Sequence, residues 1–272
     1  MRLTARSIFL CGATLLAGGS LALLSGCKGN TTAAAMLEKV VTPPPAATAL
    51  PASGNPGLAD PLTDLPWVGT HFSQFGSPIN TDQTTPATRG AILYDPSHVY
   101  VAFVSDTAGL PAKSDSVSMY LDSTAGGNGT EMIEVRVGHD GKVAASWIRS
   151  ATPATKRDDG SPDFLHPLST IPGVTIEGLT AKVRDETDHG RRVWTAVVGI
   201  PVKSLPMPLR ASPQPGEHWK VNLLRTVSGS TGEGSGELLQ SNLSPVYVNA
   251  QAVSPYRMAD LYLSPGAMTA SR

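Results

Sequence analysis

The sequence predicts an all-β domain, an antiparallel β-sandwich, preceded by a disordered tether. Short stretches in which apolar and polar residues alternate recur along most of the chain, and a period of two is typical of strands with one buried face. Glycine, proline and asparagine separate these stretches, and helical periodicity is almost absent. Because a sheet with one apolar face needs a cover, a second sheet is the expected completion.

The central element is a predicted three-stranded antiparallel meander over residues 115–149. Alternate residues in each of its three stretches are apolar. The glycine-rich connection 126–129 can adopt the positive φ angles of a tight reversal, and Asp140-Gly141 is a strong hairpin signal. The meander therefore has one apolar face and one polar face.

Further strands are predicted on both sides of the meander. The stretch 98–106 is apolar on both faces, so this strand is expected to be central in its sheet. The predicted strands cover residues 89–94, 98–106, 174–184, 192–200, 219–227 and 258–263, with 67–75 as an edge strand or a loop.

Two long loops and three core tryptophans complete the predicted domain. The proline-rich segment 152–172 and the Gly/Ser-rich segment 228–236 are predicted loops. Trp147, Trp194 and Trp219 fall within strand patterns, which favours a place in the core over a place in a binding platform.

The N-terminus has the pattern of an export signal covering residues 1–26. A short basic region with Arg2 and Arg6 precedes the apolar stretch 8–24. That stretch is too short and too rich in glycine for a stable membrane-spanning helix. It ends in Leu24-Ser25-Gly26-Cys27, which resembles a bacterial lipobox.

The resemblance implies cleavage before Cys27 and acylation of its sulfur and its amine. Several acyl chains would anchor the protein stably in a membrane, where one chain gives only marginal binding. Lys28 follows in place of the Asp that implies retention in the inner membrane, so the expected location is the cell envelope, at the outer membrane. The alternative is an ordinary secretory signal with a cysteine at this position by chance.

Three segments are predicted after the signal: a tether at 27–60, a sandwich domain at 61–265 and a short tail at 266–272. The tether is rich in Ala, Thr, Pro and Gly and has little to bury. The other cysteine, Cys11, lies inside the predicted signal, so the exported chain has no pair for a disulfide.

Charge and composition exclude several functions. The formal net charge is −1 and no run of Arg or Lys occurs, which argues against nucleic acid as a partner. The six histidines lack metal-ligand spacing, so the sequence predicts no transition-metal site and no cofactor. Asp122 and the group Asp158, Asp159 and Asp163 could hold calcium, or they are solvated turn residues.

No catalytic constellation is predicted. Glycoside hydrolysis needs two carboxyl groups facing one cleft across a suitable gap. Four glutamates are available, but nothing in the sequence pairs them: Glu134, Glu177, Glu186 and Glu237. The protein is therefore expected not to be an enzyme.

The polar face of the meander is the predicted binding site. Ser118, Tyr120, Glu134 and Arg136 share it by alternation, and Asn222 is expected to join them from a neighbouring strand. Such a face offers a stacking ring, a carboxylate acceptor and a planar bidentate donor. The alternative is a structural surface, with an ion pair between the glutamate and the arginine.

Four stretches within residues 65–264 carry a resemblance to a known family. They are Ile92-Leu93-Tyr94-Asp95 with Val99-Tyr100-Val101, Asp115-Ser116-Val117 with Leu121-Asp122, Trp194 with Gly199-Ile200-Pro201, and Gly216-Glu217-His218-Trp219-Lys220-Val221-Asn222 with Arg225. In order and spacing they resemble the family 9 carbohydrate-binding module and its DOMON-like relatives. The resemblance implies a β-sandwich that binds sugars without catalysis and accompanies glycoside hydrolases.

The chain departs from this family at the sugar clamp. Well-known members hold the sugar between two tryptophans, and the corresponding positions here are Ala112 and approximately Ala252. Ser118 stands where a carboxylate is expected, whereas Arg136 keeps the place of a ligand-contacting arginine. Aromatic stacking supplies much of the affinity of a sugar site, so the resemblance implies the scaffold without its usual clamp.

Three functions are compatible with these observations. The first is non-catalytic recognition of a saccharide at the bacterial surface by a lipid-anchored sandwich. The second is a structural or protein-interaction lipoprotein that keeps the sandwich without binding sugar. The third is a haem-carrying DOMON-type domain, which needs axial ligands facing one pocket, and Met119 and Met132 fall on opposite faces of the meander.

Overall fold

Thirteen strands account for most of the residues that the structure describes. This computed structural model describes residues 46–64, 67, 70–75, 87–107, 115–124, 131–150, 168–172, 176–205, 212–229, 237–244 and 258–265. The strands are β1 (Ala46–Pro51), β2 (Ser73–Gln74), β3 (Thr88–Tyr94), β4 (His98–Asp106), β5 (Asp115–Asp122), β6 (Glu131–Gly138), β7 (Val143–Ser150), β8 (Leu168–Thr170), β9 (Thr180–Asp188), β10 (Arg191–Pro201), β11 (His218–Gly229), β12 (Glu237–Asn242) and β13 (Ala259–Leu263).

The strands form one continuous curled sheet with two halves. The meander half has the order β8-β7-β6-β5-β11-β13, and the second half has the order β1-β3-β4-β10-β9. β12 pairs with β11, and β2 pairs with β3. The predicted all-β fold is confirmed, and so is the antiparallel meander, which consists of β5, β6 and β7.

The two halves face each other across the main hydrophobic core. Met119 and Val135 of the meander half and Val101 and Trp194 of the second half belong to this core. Alternate residues point into it from eight strands, as the period of two predicts: β1, β3, β4, β5, β6, β10, β11 and β13. Trp194 and Trp219 are buried as predicted, whereas Trp147 is only half-buried, and its indole N–H donates to the carbonyl of Ser204 at 3.1 Å.

Two hairpin turns follow the turn chemistry of their sequences. Gly141, in the predicted Asp140-Gly141 turn between β6 and β7, has a φ of +81°. In the turn between β9 and β10, His189 and Gly190 both have positive φ, at 48° and 79°. A two-residue loop with two positive φ angles matches the right-handed twist of its flanking strands.

The predicted tether extends too far towards the C-terminus, because β1 lies within residues 27–60. β1 pairs in parallel with β13 on one side and with β3 on the other, so it joins the two halves of the sheet. Ala47 and Ala49 point into the core and are buried. The composition of β1 gives no strand signal in the sequence, because small residues carry little hydrophobic signal. Their backbone groups nevertheless hydrogen-bond like those of any other residue.

The segment that follows β1 covers the outer face of the second half. Trp67 packs there in a second apolar cluster with Leu93 and Tyr100, and its indole N–H donates to the carbonyl of Pro56 at 3.2 Å. An ion pair between Arg184 and Asp60 at 3.1 Å secures the same segment. The folded domain therefore includes residues that the sequence assigns to the tether.

Several predicted features lie outside the described residues. They include the signal 1–26, Cys27, the tail 266–272, the acidic group Asp158, Asp159 and Asp163, and the clamp positions Ala112 and Ala252. Within the described part, β8 occupies the end of the predicted loop 152–172, and β12 follows the predicted loop 228–236. No helix in that part is long and apolar enough to cross a membrane.

Candidate functional site

The five residues predicted for the binding site share one face of the meander half. In the strand register Tyr120 lies opposite Glu134 on one side and opposite Asn222 on the other. Ser118 lies opposite Arg136 one pair further along. β5 is central between β6 and β11, so it places all five side chains on the side away from the main core.

Three of these five residues are covered in the folded protein. Ser118 is 2% exposed, Tyr120 is 4% exposed and Asn222 is fully buried. The Tyr120 ring packs in a small apolar cluster with Met132, Ile148, Leu224 and Met258. A ligand on this face would therefore not stack on the ring that the sequence suggested as its platform.

The Asn222 amide has a structural role in the described structure. Its side-chain N–H donates to the carbonyl of Ser244 at 3.1 Å, and its side-chain oxygen accepts from the backbone N–H of Ser244 at 2.9 Å. These two bonds fix the chain just after β12 against β11. A buried amide that is engaged in this way has little capacity left for a ligand.

Glu134 and Arg136 form the accessible part of the predicted site. Tyr120 donates its hydroxyl proton to Glu134 Oε1 at 2.8 Å, and Arg136 Nη2 donates to the same oxygen at 3.0 Å. Burial and the neighbouring Glu134 carboxylate raise the pKa of Tyr120 above its usual range, so the phenol stays protonated as a donor. The Arg136 side chain is 56% exposed, so most of its guanidinium can reach a ligand.

The residues that carry the family resemblance meet in a buried network. Arg225 Nε and Nη2 donate to the two oxygens of Asp115 at 2.9 and 2.6 Å. The Trp194 indole N–H donates to Asp115 at 2.8 Å. The guanidinium also donates to the Thr88 hydroxyl at 3.0 Å, the Asp106 carbonyl at 2.8 Å and the Ala87 carbonyl at 3.5 Å. These motif residues therefore hold the scaffold together.

A second pair of motif residues has a similar structural role. Tyr94 donates its hydroxyl proton to the carbonyl of Ser264 at 2.6 Å. Asp95 closes the β3–β4 turn by accepting from the backbone N–H groups of Ser97 and His98 and from the hydroxyl of Tyr100. Burial opposes ionisation of Asp95, but these hydrogen bonds outweigh it and lower the pKa of the carboxyl group.

The residues weighed for other chemistry do not converge. Met119 lies in the main core and Met132 in the small cluster on the opposite face, so the two do not face one pocket. Burial and a hydrogen bond with Asp60 raise the pKa of Glu186, but this residue belongs to the second half of the sheet and Glu134 to the meander half. Among the described residues, no group of three or more His, Cys, Asp or Glu side chains is arranged to hold a metal ion.

A cleft lies at the outer edge of the second half, and the sequence did not predict it; we call it the Arg89 cleft. Its volume is about 410 Å³. Its signal in the sequence is the group of aromatic residues within 67–75, a stretch that the sequence predicts as an edge strand or a loop. The side chains that define it are Leu62, His71, Phe72, Gln74, Arg89 and Asp188.

Solved structures with a similar fold include carbohydrate-binding modules. A family 9 module from Caldicellulosiruptor kristjanssonii in complex with glucose gives a TM-score of 0.51 at 12% identity, covering 83% of this chain and 100% of that chain. A complex of a family 9 module from the same organism with cellotriose gives 0.52 at 13% identity, covering 83% and 97%. A proposed carbohydrate-binding protein from Bacteroides uniformis gives 0.53 at 12% identity, covering 80% and 97%.

These likenesses show that the chain has the fold of family 9 carbohydrate-binding modules. No protein-family model and no curated protein matches the sequence.

Proposed function

We propose that the protein recognises a saccharide without catalysis. The observation that carries this proposal is the fold, because the modules with the same architecture are seen in complex with glucose and cellotriose. The exposed guanidinium of Arg136 beside the Glu134 carboxylate adds local support. Sugar hydroxyls both donate and accept hydrogen bonds, so a fixed acceptor next to a planar donor suits them.

Binding at Glu134 and Arg136 is expected to be weak. The buried Tyr120 ring offers no stacking surface, and the family's two clamp positions hold Ala112 and approximately Ala252. Without aromatic stacking, two polar side chains on an open surface support a dissociation constant of about 0.1–1 mM, or about −4 to −5.5 kcal/mol. Avidity at a polymer surface would compensate for affinity of this order.

We further propose that the protein acts at the bacterial cell envelope as a lipoprotein. The support is the sequence Leu24-Ser25-Gly26-Cys27 at the end of an apolar stretch. Between Cys27 and β1 the chain has 18 residues, rich in proline and alanine. A segment of this length and composition would hold the sandwich at a distance from the membrane.

A glycan array probed with the chain from residue 28 onwards tests sugar recognition. We expect binding to a restricted set of glycans and loss of that binding in Arg136→Ala. Arg149→Ala is the matched control, because Arg149 is also 56% exposed and also pairs with a glutamate, Glu131 on the adjacent strand. Equal losses in both variants would mean that Arg136 has no specific role.

The second candidate function is that of a structural or interaction lipoprotein. It is favoured by the burial of Ser118, Tyr120 and Asn222, which turns most of the predicted site into packing. Absence of binding to every glycan on the array would favour this function over sugar recognition.

A further inference from the structure

We propose that the Arg89 cleft is a binding site for an uncharged saccharide unit, on the opposite half of the sheet from Glu134 and Arg136. This inference rests on the proposed saccharide recognition and adds a second site to it. The volume of the Arg89 cleft, about 410 Å³, lies within the range of about 300–1,000 Å³ that is typical of small-molecule sites.

The polar side chains of the cleft are held in place by the sheet. Arg89 lies on β3 directly opposite Gln74 of β2, and Asp188 is the last residue of β9. Arg89 Nη2 donates to Asp188 Oδ2 at 2.7 Å, with both side chains partly exposed. The cleft therefore presents a paired guanidinium and carboxylate that need little reorganisation to meet a ligand, beside the exposed side chain of Gln74.

The charges in this cleft favour an uncharged ligand. Arg89 and Asp188 neutralise each other, so neither an anion nor a cation finds an uncompensated charge there. Sugar hydroxyls can donate to the carboxylate and accept from the guanidinium and the amide of Gln74. A neutral polyol therefore matches the lining better than a phosphate, a carboxylate or an amine.

The aromatic side of the cleft provides an apolar surface for a sugar ring. Phe72 is half-buried, with its ring centroid 6.3 Å from that of Trp67 and 5.7 Å from the Arg89 guanidinium carbon. Trp67 is buried, and its ring is tilted by 49° relative to that of Phe72. His71 is exposed and also lines the cleft, so the cleft offers aromatic surface to the C–H face of a pyranose unit.

A tight backbone turn between β9 and β10 also borders the cleft. His189, which lines the cleft, has a φ of 48° in the tight turn that positions Asp188. Its ring is 93% exposed, and its Nε2 lies 3.5 Å from the second oxygen of Asp188. The turn between β9 and β10 and the segment before β2 therefore both contribute residues to the lining of the cleft.

Array binding with two sets of variants tests this proposal. The cleft variants are Phe72→Ala and the exposed His71→Ala and Gln74→Ala, and the reference variant for the other site is Arg136→Ala. We expect the cleft variants to weaken binding to neutral glycans at least fivefold. Leu58→Ala is the control, because Leu58 is an exposed residue of the same covering segment outside the cleft.

Each outcome of this experiment discriminates. Loss of binding in the cleft variants with retention in Arg136→Ala supports the cleft and contradicts the Glu134–Arg136 site. Loss of glycan binding both in the cleft variants and in Arg136→Ala supports two sites. Loss in Arg136→Ala alone, or binding confined to acidic glycans, overturns the cleft proposal while saccharide recognition stands. No binding of the unmodified chain to any glycan overturns both the cleft proposal and saccharide recognition.

Urea unfolding of each variant separates loss of the site from loss of the fold. The exposed His71 and Gln74 keep the test valid if Phe72→Ala destabilises the domain.

Discussion

Arg225 and Asp115 form a two-pronged ion pair in which each side chain is only 1% exposed. The two residues are 110 positions apart in the sequence. Their ion pair joins β5 and β11, which are neighbours in the meander half. Trp194 of that second half donates to the same carboxylate. A single buried carboxylate therefore links the two halves of the sandwich.

We predict that Asp115→Ala destabilises the domain by about 3–5 kcal/mol, because it leaves the Arg225 guanidinium buried without its counter-ion. The free energy of urea-induced unfolding is the measurement. Asp140→Ala is the matched control, since Asp140 pairs with Lys142 at the surface, where solvent screens the two charges and the pair contributes little to stability. Similar losses in the two variants would contradict the structural role of the buried pair.

The double variant Asp115→Ala/Arg225→Met removes both charges and refines this prediction. We expect it to be less destabilised than the sum of the two single variants, since neither charge is left uncompensated. Strict additivity of the two losses would mean that the two residues act independently.

We predict that Ala49→Asp destabilises the domain by several kcal/mol, about 3 or more, whereas Thr48→Asp changes it by less than about 1 kcal/mol. Ala49 points into the core from β1 and is buried, and its neighbour Thr48 is exposed. Thermal unfolding of both variants is the measurement. If residues 46–51 were a free tether, both substitutions would be silent.

We predict that Arg136→Ala leaves the unfolding free energy within about 1 kcal/mol of the original, since its pair with Glu134 is exposed on the arginine side. Tyr120→Phe is expected to cost about 1 kcal/mol, because it removes the hydrogen bond to Glu134 while the ring keeps its packing. Urea unfolding compares the two. A larger loss in Arg136→Ala than in Tyr120→Phe would make Arg136 a scaffold residue.

We predict that Asp95→Asn lowers stability at pH 7 and that this difference shrinks at acidic pH. The pKa of Asp95 is lowered in the folded state, so its contribution is present above its unfolded pKa of about 3.9 and is lost as the pH falls through the folded pKa. Unfolding at pH 7, 4 and 3 measures this. Ser97→Ala keeps the carboxylate and should keep part of the pH dependence. A difference between Asp95→Asn and the original that stays constant with pH would refute the role of the charge.

We predict that Cys27→Ser releases the protein from the membrane fraction and abolishes labelling by a fatty-acid analogue. The reason is that the sulfur and the amine of Cys27 are the expected acylation sites after the sequence Leu24-Ser25-Gly26. Fractionation of cells that express the full chain is the measurement. A Cys27→Ser protein that remains in the membrane fraction would contradict lipid anchoring through this residue.

The site could be predicted only in part. The sequence correctly places Ser118, Tyr120, Glu134, Arg136 and Asn222 on one face, because alternation along a strand is a local property. It does not reveal that three of the five are covered, because Met258 and Ser244, which contact this group, belong to segments far along the chain. The Arg89 cleft needs three separate segments, and only the aromatic residues within 67–75 give a local signal for it.

The sequence by itself determined the all-β class, the meander and the inward face of each of its strands, since a period of two is fixed by strand geometry within a few residues. Tertiary structure alone decided that β1 joins the two halves and that Asp115 meets Arg225. The physical reason is that backbone hydrogen bonds between strands do not depend on residue type, and a buried ion pair forms only where folding brings two distant strands together.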